Sequence, residues 1–203
     1  MNKIVKNTAI LTIITLVAGA LLGLVYEITK EPIAVAQENA KQEAYKVVIA
    51  DAAAFSAYED FDAEEAKTVV SEAGYTEDIT EVAAAEDASG EIIGYVISAT
   101  SHDGYGGDIS VSVGILNDGT VKGIEMLSIS ETAGLGMKAD EPVFKEQFKD
   151  KQVEKFTYTK SGEEGDDKID ALSGATITTN AVTNAVDSAL VYFQNVLGGS
   201  VNE

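Results

Sequence analysis

The sequence predicts an α+β fold, an antiparallel sheet with segregated helices, preceded by one N-terminal transmembrane helix. Three stretches carry that expectation: an uncharged, mostly apolar run from Asn7 to Tyr26, the segment "DISVSVGILNDGTVKGIEML" from Asp108 to Leu127, and an apolar stripe between Ala181 and Phe193. At about 1.5 Å of rise per residue, a run of some twenty residues spans the roughly 30 Å apolar layer of a bilayer. In the second stretch Ile109, Val111, Val113 and Ile115 alternate with small polar residues or glycine, the period of a strand with one buried face. In the third, Ala181, Val182, Ala185, Val186, Ala189, Leu190 and Phe193 recur at spacings of one, three and four, which places them along one side of a helix. Strands and helices grouped in separate stretches, without a repeating strand–helix alternation, favour an α+β arrangement.

Composition narrows the function. The 203 residues suffice for a membrane segment and one domain, or at most two small ones. A net charge of -20, from 34 acidic against 14 basic residues, argues against nucleic acid as a partner and against attachment to anionic lipid. Cysteine is absent and His102 is the single histidine, which excludes disulfides, cysteine-ligated zinc or iron–sulfur sites, and multi-histidine metal centres. No nucleophile–base constellation stands out, so no catalytic residue and no metal ligand is assigned.

Residues 1–30 read as a cytoplasmic N-terminus and membrane anchor. Lys3 and Lys6 precede the apolar run, which keeps that end cytoplasmic and sends the remainder outside. Ala18-Gly19-Ala20 offers a small-residue cleavage site, but Leu21, Leu22, Leu24 and Val25 continue the run and favour a retained anchor over a cleaved signal. Residues 31–62 read as a helical stalk and domain entry, with alanine-rich helix from Ile33 to about Glu59 and apolar bulk from Phe55, Tyr58 and Phe61. Residues 63–203 form the outer domain. Within it, Gly74 marks a turn, and residues 91–100 read as a strand with Ile93, Tyr95 and Ile97 on one face. The Asn117-Asp118-Gly119 turn returns the alternating strand as Val121 to Leu127, giving a half-buried antiparallel sheet. Pro142 opens a short helix with Val143, Phe144 and Phe148 facing inward. "TKSGEEGDDKID" reads as a solvated surface loop, since its acids lack the ordered spacing of an EF-hand.

The last helix is preceded by "DALSGATITTN", Asp170 to Asn180. Two readings are open. Thr178, Thr179 or Asn180 caps the helix in the ordinary way, or the unpaired amides at the helix start hold a phosphate that Gly174 lets approach closely. Neither a Walker lysine nor a dinucleotide-binding glycine pattern accompanies the turn.

Asp170-Ala171-Leu172-Ser173-Gly174-Ala175-Thr176, "HDGYGG" at 102–107 and "SETAGLG" at 130–136 carry a resemblance over nearly the full chain. The sequence resembles the G subunit of the Rnf electron-transport complex, and more broadly the FMN-binding domain also found in the C subunit of the sodium-pumping quinone reductase. The resemblance implies an extracytoplasmic FMN-binding domain. Thr176 matches the acceptor of phosphoester-linked FMN, in preference to Thr178, and Asp170, Ser173, Gly174 and Ala175 fill the rest of the motif. It also implies that Glu131, Thr132, Gly134, Leu135 and Gly136 lie near the isoalloxazine, with Tyr105 as a further contact. Ala133 stands where the family usually has proline, which loosens that loop. A surface connection whose glycines serve geometry alone is the other reading of residues 131–136, and sheet-edge packing is the other reading of Tyr105. The implied function is a covalently flavinylated electron-transfer subunit of an ion-translocating ferredoxin:NAD oxidoreductase. Its implied partners are the complex's other membrane and redox subunits and a flavin transferase that uses FAD and a divalent metal. The alternatives are the quinone-reductase C subunit, a stand-alone FMN-binding electron-transfer protein, and a cofactor-free anchored binding module.

Overall fold

The computed structural model describes residues 2–198, in two compact units, Met1–Lys41 and Gln42–Glu203. The first consists of helix α1 (Lys3–Val48), which runs on into the second. Its apolar part is long enough to cross a membrane, by length and composition. Its threonines satisfy themselves within the helix: the hydroxyls of Thr8, Thr12 and Thr15 donate to the carbonyls of Ile4, Thr8 and Leu11 at 3.0, 3.0 and 3.1 Å.

Helix was expected to about Glu59, but α1 passes through Pro32 and stops at Val48. Ala54–Ala57 is strand β1, paired antiparallel with β2 (Asp78–Glu86). Pairing with a neighbouring strand overrides the helical preference of alanine. Strands β3 (Ile92–Ser101), β4 (Ile109–Leu116) and β5 (Val121–Ser128) complete a five-stranded sheet in the order β1-β2-β3-β4-β5. Between β1 and β2 lies helix α2 (Ala63–Glu72), where Asp62 Oδ1 accepts the amides of Glu64 and Glu65 at 2.8 and 3.1 Å. Gly74, at φ +91°, makes the expected turn beyond it.

Helix α4 (Thr176–Val196) packs its stripe onto the sheet. Ile109, Val111, Val113 and Ile115 are fully buried in one core with Ala181, Val182, Ala185, Val186, Ala189, Leu190 and Phe193. The opposite face is not left open to water, as a half-buried sheet would leave it. Tyr45, Val48 and Ile49 pack there against Ala83, Ala85 and Val96. The approach is so close that a Cβ on Gly114 would meet Ile49 Cγ1 and the Val48 carbonyl oxygen, both at 2.8 Å. Ile93 also departs from expectation, packing against this second cluster while Tyr95 and Ile97 join the main core. The register explains it: Glu86 pairs with Ile92 and Ala85 with Gly94, so Ile93 is the extra residue of an irregularity that breaks the alternation.

After β5, Gly136–Asp140 forms a 3-10 turn, followed by helix α3 (Pro142–Lys145) and a second 3-10 turn, Glu146–Phe148. Phe144 and Phe148 are buried, and Phe148 meets Phe156 edge-on with centroids 5.0 Å apart. Val143 is 78% exposed and does not face inward. One residue along a helix turns the side chain by about 100°, away from the face that Phe144 and Phe148 share. The charged loop is bracketed by a short parallel pair, β6 (Thr157–Thr159) and β7 (Lys168–Asp170), with residues 160–166 exposed between them. β7 delivers the chain to the turn before α4.

Candidate functional site: a cleft at the start of α4

From β7 the chain is held at each step. The Asp170 amide donates to Gln147 Oε1 at 2.6 Å, Ala171 to the Thr159 carbonyl at 2.8 Å, and Ala175 to the Leu172 carbonyl at 3.0 Å. Gly174 takes φ +76°, a conformation that favours glycine, and reverses the chain into α4. Ala175 occupies the capping position, so no side chain caps the helix and Thr176 is its first helical residue. Thr178, Thr179 and Asn180 lie inside the helix and do not cap it, unlike the ordinary-capping reading. The amides of Thr176, Ile177 and Thr178 are the opening donors of a 21-residue helix that has no side-chain cap.

The opposite wall is built around Glu131. Its Oε1 accepts the amides of Tyr105 and Gly106 at 2.8 and 3.3 Å, tying the 103–107 turn to the segment after β5. That segment folds back on Thr132, whose carbonyl accepts the amides of Leu135 and Met137 at 3.1 and 3.2 Å. Gly136 lies where two elements converge: a Cβ there would stand 2.6 Å from Thr178 Oγ1 and 2.7 Å from Glu131 Oε2. Leu135 reaches across to Gly174, its Cδ2 lying 3.2 Å from where a Cβ would be.

The result is a cleft of about 540 Å³ lined by Tyr105, Glu131, Thr132, Leu135, Gly136, Gly174, Ala175, Thr176, Ile177 and Thr178. The structure therefore brings together nine of the residues singled out from sequence. The other three stand apart from the lining: Asp170 is exposed on β7, Ser173 is exposed in the turn, and Gly134, at φ +77°, shapes the loop behind Leu135. Sequence reasoning missed Ile177. Its signal was an apolar residue off the buried stripe of α4, and it is 53% exposed at the cleft's edge with Leu135 at 43% and Tyr105 at 72%. Among the described residues no lysine or arginine lines the cleft, and the helix start offers it positive potential. The arrangement suits an anionic group at the amides joined to a flat apolar body between Leu135, Ile177 and Tyr105.

Two titrating groups support this frame. His102 bridges Asp108 and Asp78 at 3.0 Å each, pinning the turn that carries Tyr105; these hydrogen bonds, that of Asp108 first, hold its pKa above the usual histidine value. On α4, Asp187 is buried, accepting the Phe156 amide at 2.7 Å and the Tyr75 hydroxyl at 3.2 Å. Burial pushes its pKa up to about 7.

Residues 104–191, which contain every residue of the cleft, match the FMN-binding domain family, and residues 1–48 match the RnfG N-terminal region. The chain is 32% identical over 195 residues to the G subunit of the Na(+)-translocating ferredoxin:NAD(+) oxidoreductase complex of Acetobacterium woodii, covering 94% of this chain and 92% of that protein. It is 32% identical over 192 residues to the G subunit of the ion-translocating oxidoreductase complex of Methanosarcina acetivorans, covering 94% and 95%. Among solved structures, the C subunit of the Na(+)-translocating NADH-quinone reductase of Parabacteroides distasonis superposes with a TM-score of 0.50 at 25% identity, over 69% of each chain.

Proposed function

Because the chain belongs to the G-subunit family of ion-translocating oxidoreductase complexes, as a redox subunit bearing an FMN-binding domain, we propose that it carries FMN in this cleft through a phosphoester to Thr176. One observation carries the reading: Thr176, at the uncapped start of α4, shares the cleft with the exposed apolar side chains of Leu135, Ile177 and Tyr105. The residues fit the group. The amides of residues 176–178 suit a phosphate, Gly136 and Gly174 allow close approach, and the three apolar side chains suit an isoalloxazine. The volume lies within the roughly 300–1,000 Å³ usual for cofactor sites.

Bound FMN supplies electron transfer, and the protein supplies position and environment. Leu135 and Ile177 would shield one side of the bound ring from water. Glu131 fixes the wall that carries Tyr105 and adds a negative charge beside it. A covalent attachment keeps the cofactor's local concentration high whichever redox state binds weakly. In the attachment step, the Thr176 Oγ forms a bond to the FMN phosphorus of FAD, the pyrophosphate P–O bond breaks, AMP leaves, and the hydroxyl proton is released. A separate flavin transferase with a divalent metal performs that step; no residue of this chain is assigned a catalytic part. Lys3 and Lys6 keep the N-terminus cytoplasmic, so the FMN domain lies outside, beside the complex's other membrane and redox subunits.

The test is co-expression of the full chain with a flavin transferase, followed by intact mass measurement after denaturation. The wild type should gain one FMN phosphoester and Thr176→Ala none. A wild-type chain that stays unmodified beside a competent transferase overturns the proposal.

A further inference from the structure

We infer that Thr179 is a positioning residue for flavin attachment, the buried latch that sets the acceptor turn so that the Thr176 hydroxyl is presented. This rests on Thr176 being the acceptor. Thr179 is fully buried, three residues beyond Thr176 on α4. Its hydroxyl accepts the Leu172 amide at 3.0 Å and donates to the Ala175 carbonyl at 3.0 Å. Those are the two ends of the Leu172–Ala175 turn, which is also closed on itself by the Ala175 amide on the Leu172 carbonyl at 3.0 Å. One hydroxyl, using one donor and one acceptor, therefore clips both ends of the segment that holds Ser173 and Gly174.

This clip replaces what the sequence does not supply. The capping position holds Ala175, which has no side-chain oxygen, so no capping side chain fixes the angle at which the chain enters α4. Thr179 fixes it from inside. Because Thr176 directly follows Ala175, a shift of the turn moves the acceptor hydroxyl with it. A group transfer is sensitive to such shifts, since a misplacement of about 1 Å can cost on the order of a hundredfold in rate.

The step affected is the attachment itself: Thr176 Oγ–P forms, the pyrophosphate P–O bond of FAD breaks, AMP leaves, and a proton is released. Thr179 touches none of the reacting atoms.

A comparison built into the helix separates positioning from stability. Thr183 is also buried, and its hydroxyl donates to the Thr179 carbonyl at 2.8 Å, one turn further from the acceptor. Thr183→Val removes a buried hydroxyl bond but leaves the turn alone. Thr179→Val keeps the shape of the side chain and removes both clips, whereas Thr179→Ser keeps the hydroxyl and loses only the methyl.

The experiment measures the initial rate of FMN incorporation into the detergent-solubilised full chain, with purified flavin transferase, Mg²⁺ and FAD, at a temperature where circular dichroism shows each variant folded. Thr179→Val should be slowed about tenfold or more, with Thr179→Ser and Thr183→Val within about threefold of wild type. Thr179→Val at the wild-type rate, or Thr183→Val slowed equally, overturns the inference. Hydrogen exchange on the unmodified wild type is the second measurement and needs no variant to fold: the Leu172 amide should be protected, and exchange at the rate of an open loop overturns the latch. If wild type itself takes no FMN at Thr176, the acceptor assignment has failed, a result distinct from a Thr179 variant that is modified normally.

Discussion

Replacing Gly136 with alanine should both destabilise the outer domain and disturb the cleft. The new Cβ would stand 2.6 Å from Thr178 Oγ1, 2.7 Å from Glu131 Oε2 and 2.8 Å from Glu131 Cβ. Unstrained contacts need about 3.5 Å or more, so something must move by the better part of an ångström. Thr178 is 1% exposed inside α4 and has little room. Glu131, partly exposed on a loop, is the side that gives, and its displacement loosens the bonds to the Tyr105 and Gly106 amides. Overpacking costs about 1–3 kcal/mol and loss of a charge-assisted hydrogen bond about 1 more where water can replace it. A total of about 2–4 kcal/mol lowers Tm by roughly 4–16 °C for a domain of this size. The assay is thermal unfolding of the full chain in detergent, followed by circular dichroism, with the absorption spectrum of the flavin-loaded protein recorded alongside. Gly134→Ala is the control. A Cβ there meets nothing within 4 Å, but φ +77° strains it by about 1–2 kcal/mol. Both variants should lose stability, and Gly136→Ala alone should shift the flavin spectrum. A Gly136→Ala protein with wild-type Tm and wild-type spectrum would show that the Gly136 contacts are not tight.

Leu135→Asp puts a charge on the apolar wall while leaving Thr176 untouched, so the flavin spectrum or midpoint potential should change with covalent occupancy largely retained; a loaded variant with both unchanged removes Leu135 from ring contact. Asp187 predicts a pH dependence. Its folded-state pKa, raised to about 7 by burial, lies above the unfolded value near 4, so the folded state keeps a proton that the unfolded chain releases. That contribution is complete below about pH 4 and is lost as pH rises through about 7. The groups facing it are Tyr75, Glu77, Lys155 and the Phe156 amide. Asp187→Asn should flatten denaturant stability between pH 5 and 8, and an unchanged slope would count against the assignment.

The hairpin of β4 and β5 and the stripe of α4 were legible because each keeps its large apolar side chains on one face, the other face of β4 carrying Ser110, Ser112 and Gly114, so period two and period 3.6 stand out in the sequence. The alanine-rich segments were not. Alanine favours helix when isolated, yet Ala83 and Ala85 lie in β2, where small side chains admit Tyr45, Val48 and Ile49. The contacts that decide their state are long-range, and neither α2 nor β2 was anticipated. At the cleft, the motifs that carry the family resemblance supply nine of the lining residues. What remained hidden was that Glu131 ties those walls to the Tyr105 turn and that Thr179 closes the acceptor turn from inside the helix. Such bonds join residues whose separation carries no periodic signal.

Attachment at Thr176 is tested by peptide fragmentation of the flavin-loaded, denatured full chain, with Thr178→Ala alongside. An FMN phosphoester on Thr176 is expected in both proteins. FMN on Thr178 with Thr176 bare would contradict it.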